Sequence, residues 1–86
     1  MVSGSAFEPV LSGKALAFLL SLKKRRQRQV SDLLYRLADY PYQPGDYESA
    51  DGAGRKIQHL RVGSLVISYW PDSASRELRV IEIDEI

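Results

Sequence analysis

Along the first half of the chain apolar residues recur every three or four positions. Leu11, Ala15, Phe18, Leu19 and Leu22 form one stripe, and Val30, Leu33, Leu34 and Leu37 form a second. That period is the imprint of helices with one buried face. It predicts helices over residues 12–22 and 25–40, with Ser12 as the first cap and Pro41 as the final stop. Neither helix is long enough to persist alone in water, so both stripes need a covering surface.

From residue 55 onward the period falls to two. Residues 55–62, 65–70 and 77–84 read as strands, joined by Gly63-Ser64 and by Pro71-Asp72-Ser73-Ala74-Ser75. Connections this short make successive strands antiparallel. In the middle strand Leu65, Ile67 and Tyr69 share one face, and Val66, Ser68 and Trp70 share the other. Residues 46–50 add an edge strand if Asp51-Gly52-Ala53-Gly54 is a hairpin turn. Phe7-Glu8-Pro9-Val10 is either a short first strand or an extended lead-in, and residues 1–6 read as a flexible tail. The expected architecture is α+β, a single domain in which an N-terminal helical hairpin packs on a C-terminal antiparallel sheet of three to four strands. Trp70, the only tryptophan, is expected to fill the space between the two layers.

At 86 residues and 9.7 kDa the core is modest. A chain of this size buries roughly 60–65 % of the surface its unfolded form exposes. The absence of cysteine removes disulfides and thiolate metal sites. No apolar run approaches the roughly 20 residues of a membrane span, so a cytoplasmic protein without membrane partners is expected.

The net charge of +1 conceals an uneven distribution. Lys23, Lys24, Arg25, Arg26 and Arg28 supply five of the twelve basic residues, leaving seven against eleven acidic ones elsewhere. Any anion-binding site must therefore be local. The basic run is placed at the turn between the helices, either as a solvated, solubilising surface or as a contact for phosphates or an acidic partner. A second cationic segment is the strand carrying Arg55, Lys56, His59 and Arg61. His59, the only histidine, is a candidate general base or an ordinary hydrogen-bonding residue. Arg61 is a candidate phosphate clamp or the partner of a carboxylate such as Glu77 or Glu82. Asp46, Glu48 and Asp51 lack the companions and glycine spacing of a calcium loop and read as a solvated segment. No nucleotide-binding loop, nucleophile elbow or zinc signature is present, and no cofactor is expected.

The order of elements, together with Gly54-Arg55, Leu60-Arg61-Val62-Gly63, Ile67-Ser68-Tyr69-Trp70 and the closing Glu77-Leu78-Arg79-Val80-Ile81-Glu82-Ile83, resembles the RelE/ParE toxin superfamily of bacterial toxin–antitoxin modules. The loop Gly45-Asp46-Tyr47 is similar to that of a subgroup. This resemblance implies a helical hairpin on a twisted antiparallel sheet and a cognate antitoxin that wraps the toxin. RelE-like members cut messenger RNA on the ribosome without metal, using basic residues on the sheet. ParE-like members poison DNA gyrase. Arg61 and Lys56 carry over as catalytic candidates. His59 joins them as a base inferred from its chemistry rather than matched to the family. Arg55, Arg79 and the run Lys23, Lys24, Arg25, Arg26 and Arg28 are the candidate RNA- or partner-binding residues. Val66 stands where RelE-like nucleases carry an arginine, and the closing Asp84-Glu85-Ile86 supplies neither the late arginine nor the tyrosine of that group.

Three functions follow: a toxin that inhibits translation by binding or cutting message, a gyrase poison acting through the basic run, or an interaction module without toxicity. The first requires His59, Arg61 and their cationic neighbours to lie together on the open side of the sheet, with the helices behind it.

Overall fold

The computed structural model describes residues 7–86; the expected tail at residues 1–6 lies outside them. Strand β1 (Glu8–Leu11) is followed by helices α1 (Gly13–Ser21) and α2 (Lys24–Asp39). Strands β2 (Tyr47–Ala50), β3 (Lys56–Val62), β4 (Leu65–Asp72) and β5 (Glu77–Glu85) complete the chain. The five strands form one sheet in the order β1-β5-β4-β3-β2. From β2 to β5 it is the expected antiparallel meander, and 51–54 is the hairpin turn. The addition is β1, which pairs parallel to β5 and makes the sheet mixed. Pro9 is tolerated there because an edge strand need not donate from every residue.

Ser12 joins the two layers. Its Oγ accepts from the Ala15 N–H at 3.1 Å, capping α1, and donates to the Ile81 carbonyl at 2.7 Å. The helix therefore starts at a fixed point on β5. Only Leu22 and Lys23 separate the helices, so Lys24, Arg25, Arg26 and Arg28 belong to the first turns of α2 rather than to a loop. Lys23 makes no side-chain cap. Gln27 partly closes the junction, donating to the Leu22 carbonyl at 2.8 Å. Cations in an N-terminal turn oppose the helix dipole. The α2 stripe, not its N-terminus, supplies its stability.

That stripe is Val30, Leu34, Leu37 and Ala38, all buried against Leu65, Ile67 and Tyr69 of β4 and Leu78, Val80 and Ile83 of β5. Tyr69, fully buried, donates its hydroxyl to the Gln43 carbonyl at 2.9 Å and so ties the segment after α2 to the sheet. The β4–β5 register shifts between Ser68 and Tyr69: Ser68 faces Glu82 while Tyr69 faces Val80, leaving Ile81 as an extra residue of β5. Such a bulge lets both Val80 and Ile83 point into the core.

Candidate functional site on the open face

The helices cover one face of the sheet, and cross-strand pairs share a face. The other face therefore follows from the register. Arg61 pairs with Val66, which pairs with Asp84; Tyr47 pairs with His59, His59 with Ser68, and Ser68 with Glu82; Trp70 pairs with Arg79. His59 and Arg61 do lie together on this face. Lys56 does not: it pairs with Ala50, on the parity of Leu60, which packs against the helix-side core. A period of two puts residues 56 and 59 on opposite sides, so Lys56 is exposed but directed away from His59.

His59 is held on three sides. Its Nε2 lies 2.7 Å from Ser49 Oγ and its Nδ1 2.8 Å from Ser68 Oγ. Tyr47 stacks on the imidazole with ring centroids 4.7 Å apart and planes 8° from parallel. The backbone beneath is clamped as well. Asp46 N–H donates to the His59 carbonyl at 2.8 Å, Gly45 N–H to Gln58 Oε1 at 2.8 Å, and Arg61 N–H to Asp46 Oδ2 at 2.7 Å. Gly45 permits this approach: a Cβ there would sit 2.5 Å from the His59 carbonyl oxygen. The Gly45-Asp46-Tyr47 loop thus fixes the histidine.

Arg61 is exposed, and among the described residues its guanidinium meets no carboxylate, only the Gly63 carbonyl at 3.5 Å through Nε. It lines a groove of about 660 Å³ with Asp46, Tyr47, Val66 and Ile86. The other arginines named for this face are engaged elsewhere. Arg55 binds Asp51 at 2.7 Å and lies 4.4 Å over the Trp70 ring. Trp70 is therefore on the open face, under a cation, rather than between helices and sheet as its size led one to expect. Arg79 is bridged to Glu77 at 2.9 Å and to Asp72 at 3.5 Å.

The face is not uniformly cationic either. Glu82 and Asp84 stand beside Ser68 and Val66. A hydrogen bond from Lys14, 2.9 Å away, holds the Glu82 carboxyl below its usual range. The hydrogen bond with Glu82 holds Asp84 above its own. Sequence reasoning missed Ser49, Ser68, Glu82 and Tyr47 as neighbours of His59; the alternation within each strand was legible, but not the register between strands. The basic run lies on α2, in the layer behind the sheet. Arg26 and Arg36 line a groove of about 270 Å³ beside the β3–β4 turn, and Lys24 and Arg28 line another of about 370 Å³ with Leu19 of α1.

No family model matches the chain, and no curated protein matches it significantly. Solved structures do. A chain of the RelBE2 toxin–antitoxin complex from Mycobacterium tuberculosis superposes with a TM-score of 0.76 at 15 % identity, over 98 % of this chain and 95 % of that one. The chain has the RelE fold. The archaeal RelE–RelB complex from Pyrococcus horikoshii gives a TM-score of 0.70 at 12 % identity, over 93 % of this chain and 94 % of that chain. The intact RelBE complex from E. coli gives 0.62 at 16 % identity, over 94 % and 98 %. The RelE fold is thus present nearly end to end, on a sequence that shares few residues with these examples. What acts on a ligand must be read from the side chains of this chain. No helix among the described residues is long and apolar enough to cross a membrane.

Proposed function

We propose that this chain is the toxin of a type II toxin–antitoxin pair and inhibits translation by binding and cutting messenger RNA. One observation carries the reading. On a RelE fold, His59 is locked beside Arg61, and Arg61 has no carboxylate partner among the described residues. Arg61 holds a phosphate, and His59 takes the proton from the 2′-hydroxyl as that oxygen attacks the adjacent phosphorus. The bond from phosphorus to the 5′-oxygen of the next nucleotide breaks. That oxygen leaves with the electron pair and is protonated by water, and a 2′,3′-cyclic phosphate remains. Positioned proton transfer of this kind contributes about 10²–10⁴-fold. Lys56 faces away from this centre and does not enter the chemistry. Arg55 and Arg79 are tied to carboxylates and act at most at the margin. The antitoxin covers apolar surface left exposed by the fold, including Leu16 and Leu20, one turn apart on α1, and the exposed edge of β2.

On this reading, expression of the chain alone is expected to arrest growth, and purified protein with ribosomes to create new 5′ ends in a message. His59→Ala and Arg61→Ala are each expected to abolish the cutting. Intact message with active ribosomes removes the nuclease reading. A second reading, a poison of DNA gyrase, draws on a different observation. Lys24, Arg25, Arg26 and Arg28 project from α2, away from the His59 face, with no ion pair among the described residues. Inhibition of gyrase supercoiling that is lost when these four are replaced by Gln selects it. No arrest in either system identifies an interaction module that has lost toxicity.

A further inference from the structure

The surroundings of His59 hold an assembly that RNA chemistry does not require. A hydroxyl, a base and a group that orients the base form one continuous line: Ser49 Oγ, the His59 ring and Ser68 Oγ, with contacts of 2.7 and 2.8 Å. A neutral imidazole donates from one nitrogen and accepts at the other, so its tautomer decides which serine is activated. Ser68 is only 5 % exposed and lies in the interior strand β4, where it is fixed. Ser49 is exposed on the edge strand β2, where a dissolved reagent can reach it. Glu82 stands opposite Ser68 on β5, and the proposed arrangement places the imidazole proton on Nδ1, towards Ser68 Oγ at 2.8 Å. Nε2 is then the acceptor for the Ser49 hydroxyl.

We propose that Ser49 is an activated nucleophile, with His59 as its general base and Ser68 as the positioning residue, and that it accepts a phosphoryl or phosphonyl group from an activated phosphorus ester. Arg61 sets that class of electrophile. It lies two residues beyond His59 on the same face of β3, whereas Ser49 pairs with Ile57, two residues before His59. The ester therefore extends along the face from Ser49 to bring its anionic oxygens to the Arg61 guanidinium, which has no carboxylate partner among the described residues. In the step, Ser49 Oγ forms a bond to phosphorus as its proton passes to His59 Nε2. The bond from phosphorus to the leaving group breaks, and the leaving group departs with the electron pair. The imidazolium then returns its proton to the leaving group or to water. A nucleophile within hydrogen-bond reach of a base that is itself oriented by a third group is the arrangement such chemistry needs.

The test uses the full chain and an alkyl fluorophosphonate, with fluoride as leaving group, followed by intact-mass measurement and peptide mapping. One adduct per chain is expected, on Ser49, at a rate that rises with pH as a general base requires. Ser49→Ala gives no adduct, and His59→Gln slows labelling by about 10²-fold or more. Ser68→Ala slows it less and displaces the midpoint of the pH profile, which a merely structural role for Ser68 would leave in place. Should His59→Gln fail to fold, the profile of the unaltered chain still decides. No adduct, adducts scattered over several serines, or a rate indifferent to pH overturns the proposal. The experiment contains no RNA, so its outcome is separate from the nuclease reading. Conversely, a Ser49→Ala chain that still cuts message leaves that reading intact.

Discussion

Gly45→Ala tests whether the loop before β2 is what holds His59 in place. The new Cβ would lie 2.5, 2.7 and 2.8 Å from the O, C and N atoms of His59. Carbon contacts are comfortable near 3.5 Å, so loop and strand must separate by about 1 Å. The obstruction is backbone, and it cannot rotate away. Three hydrogen bonds cross that gap: Asp46 N–H to His59 O at 2.8 Å, Gly45 N–H to Gln58 Oε1 at 2.8 Å, and Arg61 N–H to Asp46 Oδ2 at 2.7 Å. Neutral bonds contribute about 0.5–1.5 kcal/mol each and one to a carboxylate about 1.5–3 kcal/mol. Partial loss of the set gives a destabilisation of about 2–4 kcal/mol. A chain of this length has a total stability of about 4–13 kcal/mol. At about 4–8 °C per kcal/mol, the melting temperature should fall by about 8–32 °C.

Thermal denaturation followed by circular dichroism reads this directly, with Gly52→Ala as the internal control. A Cβ at Gly52 meets nothing within 4 Å, and that variant should stay within about 0.5 kcal/mol of the parent. If Gly45→Ala melts within a few degrees of Gly52→Ala, the close approach of loop to β3 is wrong. The positioning of His59 and Arg61 argued from it then fails as well.

Ile67→Ala, at a position with no solvent exposure, should cost about 2–5 kcal/mol and shows as an earlier midpoint in urea unfolding. Tyr69→Phe removes the hydroxyl that reaches the Gln43 carbonyl and should cost about 1 kcal/mol, with faster amide exchange in residues 41–46. Asp84→Asn tests the carboxyl pair on β5. Because the folded state raises the Asp84 pKa through its hydrogen bond with Glu82, ionised Asp84 opposes folding at neutral pH, and that opposition vanishes below the unfolded value of about 3.9. The variant should therefore melt higher than the parent at pH 7 and show no gain near pH 3; a gain of equal size at both would exclude the mechanism.

The two helices and the meander were legible because local sequence fixes their period: Val30, Leu34 and Leu37 recur at helical spacing whatever they pack against, and Leu65, Ile67 and Tyr69 alternate whichever strand lies beside them. Pro41 and the turn at residues 51–54 acted where expected, as stop and hairpin. The same local rule, applied within β3, places Lys56 and His59 on opposite faces, and grouping them as one catalytic set overlooked it. What no periodicity carries is the relation between strands. The parallel docking of β1 on β5, the extra residue at Ile81 and the pairing of His59 with Ser68 and Tyr47 are contacts between segments distant in sequence. Trp70 shows the same limit: its size marked it for burial, but alternation does not say which face of the sheet the helices will cover. The sequence alone determined the elements and the chemistry available to them. Only tertiary structure decided which of those groups meet, because register and layer order minimise the energy of the whole chain rather than of any one segment.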